Sequence, residues 1–226
     1  MNAMMRGVAA LALALAPTIA FADEAPRLLP APAIDEPAGE GIETAVLAGG
    51  CFWGVEGVYA HVKGVTSVIS GYSGGTKEAA TYRQVGTETT GHAESVEIKF
   101  DRKVISYGTI LRIFFSVAHD PTQLNRQGPD TGPSYRSNIF FASADQEKVA
   151  RAYIQQLAAA KAFKKPIVTR VDALKAFFPA EAYHQDFLVK HPSYPYVVIN
   201  DLPKVAALKR LFPDLWVEKP LTGEKV

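Results

Sequence analysis

Apolar and polar positions along this chain fall into short blocks whose period changes repeatedly. Thr44–Ala48 reads as a short buried strand, closed by Gly49-Gly50. Beyond Cys51, the residues Phe52, Val55, Val58 and Tyr59 recur at helical spacing, and Glu56 is expected in the first turn, where the helix dipole favours an acid. Val65 to Tyr72 reads as a strand. Glu94 to Phe100 alternates, with Val96, Ile98 and Phe100 on one face and Glu97 and Lys99 on the other. Ser106 to Ala118 has Leu111, Phe114, Phe115 and Ala118 on one helical face. His119 to Arg136 then has no period and reads as a long polar loop, of the kind that tends to carry function.

The C-terminal half continues the alternation of types. Asn138 to Ala142 is a short, wholly apolar strand expected inside a sheet. Ser143 and Gln146 form a capping-box pattern ahead of a helix with Val149, Tyr153, Leu157 and Ala160 on one face. Ile167 to Val171 reads as a strand and Glu181 to Lys190 as a helix. The last helix is expected over about Leu202 to Phe212, capped by Asp201 and stopped by Pro213. Strands and helices mix without regular βαβα order, which predicts an α+β fold with a mixed sheet.

The N-terminal end is patterned differently. Arg6 precedes an apolar run, Val8 to Ala16, too short to span a membrane, and Ala20-Phe21-Ala22 fits a small-x-small cleavage site. Residues 1–22 are therefore expected to be an export signal peptide, placing the mature protein in a periplasm or outside the cell. Residues 23–41, with Pro26, Pro30, Pro32 and Pro37, are expected to be a poorly ordered linker, and residues 42–226 the catalytic domain.

Composition narrows the partners. A hydrophobic fraction of 48% with 21% charged residues suits a soluble domain. The formal charge is +1, with no long basic run, so neither nucleic acid nor an anionic membrane is called for. One cysteine in 226 residues excludes a disulfide within the chain and any multi-cysteine metal centre. The five histidines lack helical ligand spacing, so no metal site is expected.

The lone cysteine sits where a strand gives way to a helix. Two glycines allow a sharp turn, and the N–H groups of the first helical turn would favour the thiolate over the thiol. A thiol nucleophile is thus the reading, against that of a small buried hydrophobe. A Cys–His acyl-transfer enzyme and a non-catalytic thiol redox sensor are the alternatives from other classes.

Five stretches taken in order settle on one resemblance. Gly50-Cys51-Phe52-Trp53-Gly54, Gly91-His92-Ala93-Glu94, His119-Asp120-Pro121-Thr122-Gln123, Asp130 through Ser137, and Tyr183-His184-Gln185-Asp186 together resemble the A-type peptide methionine sulfoxide reductases, from about Thr44 to Trp216. The resemblance implies a two-layer sandwich with a ferredoxin-like core. It implies that Cys51 attacks the sulfoxide sulfur and becomes a sulfenic acid, with Phe52 and Trp53 housing the S-methyl group. It further implies that Glu94 protonates the sulfoxide oxygen, that Tyr82 and Tyr135 hydrogen-bond to it, and that Asp130 orders the site. No prosthetic group is implied. Many relatives carry resolving cysteines, one in the C-terminal tail and sometimes one directly after the tryptophan; here the latter position is Gly54 and the tail has none. An external thiol, a thioredoxin-like protein or a small molecule, is therefore expected to reduce the sulfenic acid, with the protein acting as a monomer.

Overall fold

The computed structural model describes residues 24–37 and 39–222, so the expected signal peptide, residues 1–22, lies outside the described residues. The strands that position the site are β1 (Ile42–Gly49), β2 (Val65–Ser73), β3 (Ala93–Asp101) and β6 (Ser137–Phe141). Between β3 and β6 lies a small hairpin of β4 (Arg126–Gln127) and β5 (Asp130–Thr131), and after β6 come β7 (Arg170–Ala173) and β8 (Phe177–Pro179). The main sheet runs β7-β6-β1-β3-β2-β8. All its pairings are antiparallel except β6 with β7.

The helices are α1 (Phe52–Ala60), α2 (Tyr82–Val85), α3 (Tyr107–Ile113), α4 (Ala144–Ala159), α5 (Phe187–Lys190) and α6 (Leu202–Leu211). With α1 joining β1 to β2 and α3 between β3 and β6, the four inner strands give the β-α-β-β-α-β ferredoxin-like core that the resemblance implies.

Alternation along the strands builds the two faces. Ala45 and Leu47 of β1 join Val96, Ile98 and Phe100 of β3 in the main core beneath the helices. Val46 and Ala48 turn the other way, to a smaller cluster with Ala93 and Phe140. The parity of β3 places Glu94 on the same face as Val96, Ile98 and Phe100. An acid is thereby aimed at the helix layer, where α1 begins.

Several expectations are corrected. Glu56 is not in the first turn of α1 but deep in a helix buried on nearly all sides, where its carboxylate accepts the Asp186 N–H at 3.0 Å. The helix expected over residues 106–118 is α3 followed by a wide π-helical segment, Phe114–Ala118; such segments recur at functional sites. The segment 181–190 does not hold one helix, because Asp186 adopts a left-handed φ of 57° that separates a single 3₁₀ turn from α5. Asp201 makes no capping bond to α6; a π-helical segment, Val197–Asp201, leads into that helix instead. The seventh strand begins at Arg170 rather than Ile167.

The expected linker is also revised. Residues 24–37 hold no helix or strand, yet they form a strap docked across the domain. The Arg27 N–H donates to the Ser116 carbonyl at 3.0 Å, Leu29 N–H to Ser116 Oγ at 3.2 Å, and Ala33 N–H to Gln156 Oε1 at 2.8 Å. In return Tyr153 donates its hydroxyl to the Pro30 carbonyl, and Arg112 Nε donates to that of Leu29. Leu29 is 3% exposed, and burying such a side chain stabilises by about 1.5–3 kcal/mol. Prolines lower the entropy lost on docking, so this pattern ties down a run that composition alone reads as loose.

Candidate active site

The turn Gly49-Gly50-Cys51 is set by two close approaches. A Cβ on Gly49 would lie 2.9 Å from the Phe114 ring. Gly50 has φ 88°, and a Cβ there would lie 2.4 Å from Gln127 Cβ and Cγ. Gln127 is fixed in turn, accepting the Asp120 N–H and donating to the Asp120 carbonyl, each at 3.1 Å. The chain therefore turns sharply into α1 with Cys51 at its N-cap position, 8% exposed.

Glu94 reaches this turn from β3. Its Oε2 accepts the Phe52 N–H at 3.1 Å, occupying one of the orphan donors of the helix start. The residue is 3% exposed, and burial pushes its pKa up to about 8 against the opposing pull of the Phe52 N–H. Asp130, Glu88 and Asp201 add like charge that raises it further.

The thiol contradicts the expectation of a ready thiolate. Burial first, and then the negative charge of Glu94, push the Cys51 pKa well above its ordinary value, and only the Trp53 N–H and the Lys204 ammonium favour the anion. Desolvation outweighs the helix N-terminus here. Both shifts favour the neutral forms, a thiol beside a carboxyl.

A stability prediction follows from the raised carboxyl. The unfolded chain releases this proton near 4.5, whereas the folded chain holds it to about 8. Ionisation therefore weakens the fold progressively across that window. Glu94→Gln is expected to raise the melting temperature at pH 8 relative to wild type, with the gap closing toward pH 4.5. Thermal melts at the two pH values check this; a gap that persists at pH 4.5 contradicts it.

The aromatic wall is built around Trp53. Its indole stacks on Phe187 at 3.7 Å between centroids, meets Tyr194 and Tyr196 edge-on, and donates Nε1–H to His184 Nδ1 at 3.2 Å. Phe52 packs at 5.0 Å from His184 and 5.8 Å from Tyr72. Tyr72 lies directly across from Glu94 in the β2–β3 ladder. Glu181 ties α2 to the sheet, accepting the Tyr72 hydroxyl at 3.0 Å and the Tyr82 N–H at 2.9 Å.

Tyr135 is held from the opposite side. Ser134 donates its N–H and its hydroxyl to the Glu88 carboxylate, at 2.8 and 2.7 Å. Arg136 donates to the carbonyls of Gly91 and His92, both at 2.9 Å, binding this loop to the start of β3. Asp130 accepts a short hydrogen bond from the Tyr196 hydroxyl. Burial and the nearby carboxylates push the Tyr82, Tyr135 and Tyr196 hydroxyls upward, so all three remain donors.

All seven residues singled out in the sequence, Cys51, Phe52, Trp53, Tyr82, Glu94, Asp130 and Tyr135, line one cavity of about 190 Å³. Tyr194 and Tyr196 complete it, and both were missed. Their signal was a pair of tyrosines flanking Pro195 in a tail without hydrophobic period. Also missed was the ion pair of Asp201 and Lys204, 3.5 Å apart; a Cβ on Gly54 would lie 2.2 Å from Asp201 Oδ1. Gly54 thus leaves room for a fully buried carboxylate beneath α1.

No Cys–His pair forms among the described residues. His119 lies near the Gly49 turn, but its Nδ1 meets the Phe114 carbonyl at 3.0 Å and its Nε2 the Ser137 hydroxyl at 2.7 Å. Burial pushes its pKa down to about 4. His184 accepts the Trp53 indole N–H on Nδ1, and neither histidine hydrogen-bonds Cys51, which leaves the acyl-transfer alternative without a geometric basis.

A buried thiol and a buried acid in one aromatic cavity define a site for thiol chemistry on a small polar group. Residues 43–214 match the family model described as peptide methionine sulfoxide reductase. The chain belongs to this family. It is 58% identical over 188 residues to a peptide methionine sulfoxide reductase MsrA 2 of Mesorhizobium japonicum, covering 83% of this chain and 96% of that one. A peptide methionine sulfoxide reductase MsrA of Saccharolobus solfataricus is 49% identical over 173 residues, covering 76% and 96%. Among solved structures, methionine sulfoxide reductase A of Corynebacterium diphtheriae superposes with a TM-score of 0.56 at 36% identity, covering 67% of this chain and 76% of that one. A reduced Saccharomyces cerevisiae relative gives 0.61 at 31%, covering 71% and 91%.

Proposed function

We propose that this chain reduces the S epimer of methionine sulfoxide, free or within proteins, to methionine, and so repairs oxidised proteins. The observation that carries this reading is that Cys51 and the buried Glu94 carboxyl, which burial favours in its protonated form, line one aromatic pocket. A sulfoxide sulfur is a poor electrophile until its oxygen accepts a proton, so the reaction needs an acid as well as a nucleophile. Phe52 and Trp53 take the S-methyl group. Tyr82 and Tyr135 donate to the sulfoxide oxygen, and Glu94 gives it a proton as negative charge builds there. Asp130 anchors Tyr196 and holds that side of the pocket.

The thiol proton balances the step. As Cys51 attacks, its proton passes to the carboxylate that Glu94 has become, and the oxygen ends on Cys51. The sum is thiol plus sulfoxide giving sulfenic acid plus thioether, with no net proton. With no second cysteine in the chain, an external thiol returns Cys51 to its reduced form. The leader expected over residues 1–22 would export the enzyme, so the reductant would be met outside the cytoplasm.

The test is turnover of the separate S and R sulfoxides of N-acetylmethionine with dithiothreitol as reductant. The S epimer alone should be consumed. Consumption of the R epimer alone, or of neither, overturns the assignment.

A further inference from the structure

Cys51 belongs to a second cavity that the proposed reaction leaves unused. This cavity, of about 210 Å³, lies between the end of the Phe114–Ala118 segment, Pro129, the start of α6 and strap residues Glu24–Arg27. Its lining shares only Cys51 and Tyr196 with the sulfoxide pocket. Tyr196, held by Asp130, lines both.

The second half of the cycle calls for such a route. After sulfoxide reduction, the new S–O bond of Cys51 points into the first pocket, toward Glu94 and the tyrosines. Displacement at divalent sulfur is in line, so the entering thiolate arrives on the side away from the departing oxygen. The second cavity offers access from another flank.

Its polar lining selects the kind of thiol. Asp120 is already committed, accepting from the Glu24 and Thr122 N–H groups, the Thr122 hydroxyl and Gln123. The Glu24 carboxylate accepts from the Lys164 N–H and from Arg27. Spare capacity lies with the cations. Arg27, set over the Phe163 ring at 4.8 Å, has a buried Nη2 with no partner, and the Lys204 ammonium is held only loosely by Asp201.

We propose that a small-molecule thiol bearing a carboxylate enters this second cavity, seats its carboxylate on Lys204 and Arg27, and reduces the Cys51 sulfenic acid there. The inference rests on the sulfoxide reductase reading. The thiolate sulfur bonds to Cys51 Sγ, the S–O bond breaks, and the oxygen leaves as water with a proton from Glu94. A second thiol then attacks the outer sulfur of the mixed disulfide, freeing Cys51 and leaving as the symmetrical disulfide. Two thiols supply the two electrons. The strap lies outside the family match at residues 43–214, so one wall of this route is formed by sequence beyond the shared domain.

The experiment separates the two half-reactions. The full chain is first given one equivalent of S-sulfoxide without thiol, and methionine release is measured; absence of that burst sinks the reductase reading and not the route. The oxidised protein is then mixed with 3-mercaptopropionate, 2-mercaptoethanol or cysteamine, and loss of dimedone-reactive sulfur is followed, each rate corrected for thiolate fraction. The anionic thiol should be roughly tenfold faster than the cationic one, and Lys204→Gln should erase most of that preference. Equal rates, or a faster cationic thiol, overturn the proposal. The crystal structure of the 3-mercaptopropionate mixed disulfide gives a second reading. The adduct should lie between Lys204 and Arg27, and an adduct lying against Trp53 refutes the route.

Discussion

Serine in place of Cys51 is expected to give a folded protein without sulfoxide turnover. Loss of an enzyme's nucleophile costs on the order of 10⁶-fold in rate, which takes activity below detection. The oxygen of serine is a far weaker nucleophile toward sulfur than a thiolate, and the described residues hold no histidine paired to activate it. The fold should survive because the side chain is small and sits at the N-cap of α1, a position where serine is well accommodated. Circular dichroism and a sulfoxide assay with excess dithiothreitol check both halves. Retained turnover would remove Cys51 from the mechanism.

The second large effect belongs to Glu94. Glu94→Gln keeps an acceptor for the Phe52 N–H but has no acidic proton, so the first half-reaction should slow by about 10²–10⁴-fold. In wild type that step should be flat at low pH and fall as pH rises through about 8, where the acid is lost. The variant should lack this fall. Its Cys51 should also ionise at lower pH than in wild type, since one of the two chief causes holding the thiol up is the Glu94 charge. It should remain above an ordinary thiol, because burial, the larger cause, is unchanged. Thiolate absorbance against pH and rapid-quench methionine release measure the two effects. Near-normal turnover with an unmoved thiol would reduce Glu94 to a structural residue and leave activation to Tyr82 and Tyr135.

What the sequence made legible was local. An apolar run, two glycines and a helical repeat place Cys51 at its turn, and the alternation along β3 puts Glu94 on the core face. Both follow from periods of two and 3.6 residues, which neighbours in the chain fix by themselves. The acidity of Cys51 was misjudged because it is a balance between burial and a helix terminus, and burial depends on distant chain. Tyr196 was missed for a related reason. It reaches Asp130 from 66 residues away, across a π-helical entry to α6 that has no sequence period of its own. Of the strap's large apolar side chains Leu28 and Ile34 stay exposed and Leu29 alone is buried, so its hydrogen bonds and Leu29 reveal that it is docked. The break at Asp186 was hidden because its left-handed backbone is held from outside, by the Glu56 carboxylate under its N–H.

The central claim is that one thiol, Cys51, takes the sulfoxide oxygen unaided by any other sulfur. The direct measurement mixes reduced protein with excess S-sulfoxide and no reductant, then counts methionine and maps dimedone adducts by mass. The account predicts one methionine per chain and one adduct, on Cys51. Methionine formed only after a thiol is added, or a burst without a Cys51 adduct, would contradict it.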